Sequence, residues 1–237
     1  GVVIVDGATL SNLSSCTKMW YGIMVKGTPD QPQPIYPSLF SDYQGILWVK
    51  NASRIENSIG GVLVGEDFNC INPPDCKPVA GGGVVWIEGT TTDKITFTNN
   101  GISLNFYHYS YNNVDNTSFV SNAVFECTGP LIDPVRFPDK GSSAFILLQG
   151  VDKVGFSGEV SFKNTYTGSF GVEDLRTMAI EANGSSLSLQ SVATFDGVEK
   201  GVVWFSSNPL KTLTVIDNDF INVKKGIMLG SKNKSRV

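Results

Sequence analysis

An apolar residue followed two positions later by asparagine, or by a small stand-in for it, returns seven times along this chain. No other feature limits its architecture as much. The apolar positions are Leu10, Ile55, Phe97, Phe125, Phe162, Phe195 and Phe220. Two residues after them come Asn12, Asn57, Asn99, Cys127, Asn164, Gly197 and Asn222. The stretch ITFTNNG (95–101) shows the pattern in full: a short strand, its anchor Phe97, then a turn. Successive anchors lie 45, 42, 28, 37, 33 and 25 residues apart. A constant corner at unequal spacing marks a solenoid whose stacked rungs carry insertions of different lengths.

Two further phrases keep the same period. A glycine and alternating apolar residues follow several anchors, as GIMV (22–25), GVLV (61–64), GISL (101–104), GVVW (201–204) and GIML (226–229). Strand-like runs precede most anchors: ILWVKNA (46–52), VVWIEGT (84–90), FILLQGV (145–151) and LTVIDND (213–219). Each cycle thus offers three short strands separated by bends. The expected fold class is all-β: a right-handed parallel β-helix, a solenoid of three-stranded rungs with loop insertions, spanning 1–237 as a single domain. In such a fold the anchors stack into a continuous core. Asparagine tolerates the left-handed backbone of a tight bend, and its amide can pair with the amide one rung away in an Asn ladder. A β-sandwich has similar strand spacing. Its Asn-Gly hairpin turns, however, are confined here to 100–101 and 183–184, and it gives no reason for a recurring corner.

The long steps locate the insertions. TPDQPQPIYPSLFSDYQ (28–44) holds four of the 11 prolines and reads as an extended loop. Others are GEDFNCINPPDCKPVAGG (65–82), HYSYNNVDNTS (108–118) and GPLIDPVRFPDKGSS (129–143). Loops on one side of a solenoid usually carry its binding surface. VEDLRTMA (172–179) has room for a couple of helical turns at most.

Composition narrows the partners. Charged residues make up 17% of the chain, against roughly 25% in ordinary soluble domains. A net charge of −4 leaves no electrostatic footprint for nucleic acid, and no apolar run approaches the ~20 residues of a membrane span. GVVIVDG at the start reads as a strand, without the basic region and cleavage site of a signal peptide. The expectation is a segment of a longer surface protein, its open first rung covered by more chain or by a partner. Cys70 and Cys76 bracket a Pro-Pro turn that can bring them together, so a local disulfide is one outcome for them. Zinc would need closer ligand spacing and a nearby histidine. Cys16 and Cys127 read as buried thiols. Five Asn-X-Ser/Thr sequons, at Asn12, Asn51, Asn116, Asn183 and Asn233, are about what composition alone produces.

MWYGIMVKGTPDQPQ, QGILWVKNASRIENSIGGV and GGGVVWIEGTTTDKITFTNNGISLNFYHY resemble a recurrent pattern in secreted β-helix proteins of the Bacteroidetes. There, W-x-G-I-x-V precedes a polar loop, and ENA/ENS…GI and GGIV…F-x-N-N rungs follow. The resemblance covers residues 15 to 165 closely, and its motifs are structural. It implies a secreted or cell-surface polypeptide of the kind exported by the type IX system, whose C-terminal sorting domain is not in this sequence. Similarity to chlamydial polymorphic membrane proteins is confined to GGVL (60–63), FTNN (97–100) and FVSN (119–122), short phrases common to β-helices.

Catalytic constellations are sparse. The Asn-Thr-Asp, Asp-Asp, Gly-His-Gly and Arg-Ile-Lys set of polygalacturonase-type hydrolases does not occur. Glycoside hydrolysis needs two facing carboxylates. The candidate pairs Glu66/Asp67, Glu173/Asp174 and Asp217/Asp219 lie in loops or bends, where solvation is the simpler reading. Pectate-lyase-type elimination needs an acidic calcium cluster beside a basic residue. Arg54 and Arg136 have neighbouring acids (Glu56, Asp133, Asp139), but no calcium spacing is visible. The single histidine, His108, lies in FYHYSY, where strand alternation would put Tyr107, Tyr109 and Tyr111 on one face. A tyrosine row can stack on sugar rings or anchor a protein, or simply cover a rung. Trp20, Trp48, Trp86 and Trp204 read as core or wall residues.

The expectation is therefore a non-enzymatic secreted or cell-surface β-helix, a structural or adhesive segment or a component of an extracellular assembly. It has no cofactor or metal, and its partners are other segments or subunits of that assembly. The alternative is a carbohydrate-active protein, either a glycan-binding module or a divergent lyase or hydrolase, with Tyr107, His108, Tyr109 and Tyr111 as its ligand-binding residues. Carboxylates converging on one groove would favour the alternative; acids scattered over different faces would favour the first reading.

Overall fold

The computed structural model describes residues 1–13, 15–65, 81–109, 116–136, 141–166 and 177–230. Cys70 and Cys76, Tyr111, and the pairs Glu66/Asp67 and Glu173/Asp174 lie outside the described residues, as does most of 172–179. Only the end of that last stretch is described, where Met178 opens a strand.

The described residues form an all-β parallel β-helix of seven rungs. The first three are β1 (Val2–Asp6), β2 (Thr9–Leu10) and β3 (Ile23–Val25); β4 (Ile46–Lys50), β5 (Arg54–Glu56) and β6 (Gly60–Val64); and β7 (Val84–Glu88), β8 (Ile95–Thr98) and β9 (Ile102–Phe106). The fourth and fifth each use one long strand for two walls: β10 (Phe119–Cys127) with β11 (Ala144–Gln149), and β12 (Gly155–Asn164) with β13 (Met178–Asn183). The last two are β14 (Leu187–Gln190), β15 (Ala193–Asp196) and β16 (Lys200–Phe205), then β17 (Leu213–Ile216), β18 (Asp219–Ile221) and β19 (Lys225–Gly230). Every strand pairing among the described residues is parallel. The first wall runs β1-β4-β7-β10-β12, and β14 and β17 pair separately. The second runs β2-β5-β8 into the C-terminal halves of β10 and β12 and on to β15 and β18. The third runs from β3 through β6, β9, β11, β13 and β16 to β19.

All seven anchors fall in one register column on the second wall, from Leu10 against Ile55 through to Phe195 against Phe220. The five phenylalanines form a continuous stack. Ring centroids are 4.9, 5.2, 5.1 and 4.6 Å apart, and no pair is tilted by more than 14°. Phe97, Phe125, Phe162 and Phe195 are fully buried. Each buried ring contributes roughly 1.5–3 kcal/mol of apolar transfer and about 0.5–1.5 kcal/mol of ring–ring contact. On the third wall, Ile23, Val62, Leu104, Ile146, Ile180, Val202 and Ile227 make a second apolar column.

The corner after the second wall explains where the repeat departs from asparagine. Asn57, Asn99, Gly197 and Asn222 adopt left-handed backbone, with φ of 55°, 51°, 66° and 53°, and a third-wall strand begins three residues after each. Such φ values suit glycine or asparagine. Cys127 and Asn164 instead end strands that lead into the long segments 128–143 and 165–177, so they make no tight bend.

Three expectations need correction. The Asn57, Asn99 and Asn222 amides donate to Ser11 Oγ, Thr128 Oγ1 and Asp196 Oδ1, not to one another as an amide ladder would require. FILLQGV belongs to the third wall as β11, because β10 supplies both the first and second walls of its rung. Cys127 is a buried free thiol, its pKa pushed up by burial, whereas Cys16 is free but exposed, contrary to its sequence reading.

Candidate functional site

Insertions leave the solenoid at the two edges of the third wall. In rungs one to three they follow that wall (26–45, 65–83 and 107–118); in rung one a further connection precedes it (11–22), and in rungs four and five the insertions precede it (128–143 and 165–177). The first set is knitted together at one corner. The proline-rich insertion, residues 28–44, turns back from there as a strap across the outside of the first wall.

Two glutamines clasp the strap. Gln44 is 2% exposed; its Nε2 donates to the carbonyls of Thr28 (2.8 Å) and Gln31 (2.9 Å), and its Oε1 accepts from Gly83 N (2.7 Å). Gln33 Nε2 donates to Gly83 O (3.0 Å), and its Oε1 accepts from Thr117 N (2.8 Å). Each side chain thus satisfies backbone groups of two insertions, as a strand edge would. Glycine is required where they meet. Gly83 has φ +114, and a Cβ there would lie 2.7 Å from Val25 O.

Beneath the strap is an aromatic wall. Alternation sends Leu47, Val49, Val85 and Ile87 into the core and turns Trp48 and Trp86 outward in the same register. Tyr36 of the strap stands edge-on to Trp48 (5.9 Å), Trp86 (5.2 Å) and Phe119 (5.2 Å). Leu39 packs on the neighbouring Ile46, Val84 and Trp86. Glu88 closes the arrangement. Its two carboxylate oxygens accept from Tyr36 OH and Trp48 Nε1, each at 2.8 Å, and the carboxylate pushes the Tyr36 phenol pKa up. Lys50 lies 4.9 Å over the Trp48 ring and pairs with Asp6 at 3.1 Å. From the sequence the tryptophans read as core or wall residues and the insertion as a loop, with nothing to say that the two join. The available signal for the wall was Trp at the same place in ILWVK and VVWIE, with Lys50 and Glu88 two residues on.

The tyrosine segment meets the same corner but is not an exposed row. β9 ends at Phe106, so alternation stops there. Tyr107 is half-buried and its hydroxyl accepts from Asn105 Nδ2 (3.1 Å), while Asn105 Oδ1 accepts from Gln149 Nε2 (2.9 Å). His108 is exposed, and its carbonyl accepts from Gly81 N. Tyr109 is buried, and its hydroxyl donates to Gln31 O (2.9 Å), tying this insertion to the strap.

Carboxylates are spread over all three walls. Glu56, Glu126 and Asp196 stand on the outside of the second wall in alternate rungs, separated by Thr98 and Lys163. Glu56 pairs with Arg54 at 2.7 Å, and Glu126 accepts from Thr98 Oγ1 at 2.9 Å. Glu88 belongs to the first wall and Glu181 to the third. Asp217 and Asp219 are exposed and flank the bend around Asn218. Arg136 lies over the Tyr21 ring at 6.0 Å, and its backbone N donates to Asp133 Oδ1. Among the described residues no three histidine, cysteine or acidic side chains gather as a metal site would require.

No protein-family model, curated protein or solved structure matches this chain.

Proposed function

We propose that the chain is a non-enzymatic β-helix of a secreted or cell-surface protein, serving as a structural or adhesive segment or as part of an extracellular assembly. The observation that carries this reading is the division of the outer surface. The acidic side chains of the described residues are dispersed over three walls, whereas the most elaborate construction, strap and aromatic wall, presents apolar surface and no paired carboxylates. Such a surface suits contact with another macromolecule. The resemblance of residues 15 to 165 to secreted β-helix proteins of the Bacteroidetes supports the same placement.

A carbohydrate-active protein is the second reading, favoured by one observation. Glu56 and Glu126 share a column two rungs apart, a backbone separation of roughly 9.6 Å at about 4.8 Å per strand, near the upper end of the inverting range. Both have structural partners on a sheet wall, Arg54 and Thr98, and this argues for a surface role.

Antibody labelling of source cells tests the placement. Equal labelling of intact and permeabilised cells, or recovery of the chain from the medium, is expected. Labelling only after permeabilisation would refute an extracellular role.

A further inference from the structure

The strap does more than cover the wall beneath it, because it also carries a new apolar surface on its outer side. Tyr36 and Leu39 turn inward to the aromatic wall, while Phe40 is 91% exposed, Ile35 78% and Tyr43 49%, and Tyr36 keeps 37% of its own surface open. The surface continues onto the first rung. Val2 (40% exposed) pairs with Ile46 and Ile4 (45%) with Trp48, the residues on which Leu39 and Tyr36 sit. At about 150–250 Å² for a large side chain, these six residues expose on the order of 700 Å². A stable protein interface takes about 800 Å² from each partner.

Three features bear on what covers this surface. The strap is already held by Gln33, Gln44 and the Tyr36–Glu88 hydrogen bond, so docking orders little new chain. Of the charges beside it, Lys50 and Asp6 are paired with each other, which leaves only Asp30 and Asp42 on the strap to repel a like surface, and salt screens exposed charges of this kind. It also lies on the side of the solenoid, so covering it leaves the rung stack undisturbed. We infer that this face pairs side by side with the same face of a second copy of the chain. An isologous contact needs only one such patch per copy, and two-fold dimers are the commonest assemblies.

Sedimentation velocity on the purified chain, from about 1 to 100 μM, spans the weak end of affinity for interfaces of this size. Reducing agent in the buffer removes any dimer linked through the exposed Cys16. The wild type is expected to shift from monomer to dimer across that range. Ile35→Ser and Phe40→Ser, which leave every strap anchor in place, are each expected to weaken association at least about tenfold with unchanged circular dichroism. Should either variant fold poorly, Tyr43→Glu provides the same comparison. A wild type that stays monomeric at 100 μM overturns the inference. So does a dimer that these folded variants leave intact.

Discussion

Phe162→Ala is expected to destabilise the chain by about 3–5 kcal/mol, the usual cost of removing a fully buried phenylalanine. Phe162 stacks on Phe125 and Phe195 at 5.2 and 5.1 Å, and Phe145 approaches its ring at 6.2 Å. Truncation therefore removes ring contacts to two adjacent rungs and leaves a gap between sheets whose hydrogen bonds resist collapse. Urea unfolding monitored by circular dichroism measures the loss. The same substitution at Phe220, in the seventh rung and only partly buried, should cost markedly less. A loss below about 1 kcal/mol at Phe162 would contradict the stacked core.

Asn100→Ala is expected to cost about 2–5 kcal/mol, because it orphans buried backbone groups as well as removing a side chain. Asn100 is fully buried. Its Oδ1 accepts from Ser58 N (2.9 Å) and Ser58 Oγ (2.6 Å), and its Nδ2 donates to Ile55 O (2.8 Å). The amide thus joins the corners of the second and third rungs from inside. Asn99, beside it, points outward to Thr128 and makes the left-handed bend. Asn99→Gly should be nearly neutral, since glycine adopts that backbone without strain. Parallel unfolding curves of the two variants separate the roles. Equal and small effects would contradict them.

These two sites show why the fold was legible and where legibility stopped. The anchor column could be read because stacking forces one residue type into one place in every rung, and Phe97 to Phe220 repeat in the chain as they do in space. The corner asparagines were legible for the same reason, since Asn57, Asn99 and Asn222 share one backbone conformation. The amide ladder failed because a polar corner needs only some partner, and Ser11, Thr128 and Asp196 serve as well as an amide. FILLQGV falls on another wall than its phrase suggests, because a strand phrase carries no label of its face once β10 runs through a corner.

The candidate site was much less legible. Gln33, Tyr36 and Gln44 act through non-repeating contacts, some of them 39 to 84 positions away along the chain, and a repeat-based reading has no access to those. The tyrosine row was a local alternation extended past the end of its strand. Tyr109 turns inward because its hydroxyl finds Gln31 O in another insertion.

Our proposal is that the walls of this β-helix serve contact and not turnover. It is tested most directly by incubating the purified chain with neutral and acidic polysaccharides, with and without calcium. New reducing ends and the ultraviolet absorbance of unsaturated sugars would be followed over time. No product above the protein-free control is expected on any substrate. Product that grows with protein concentration and disappears in Glu56→Gln or Glu126→Gln would contradict it and place an active site on the second wall.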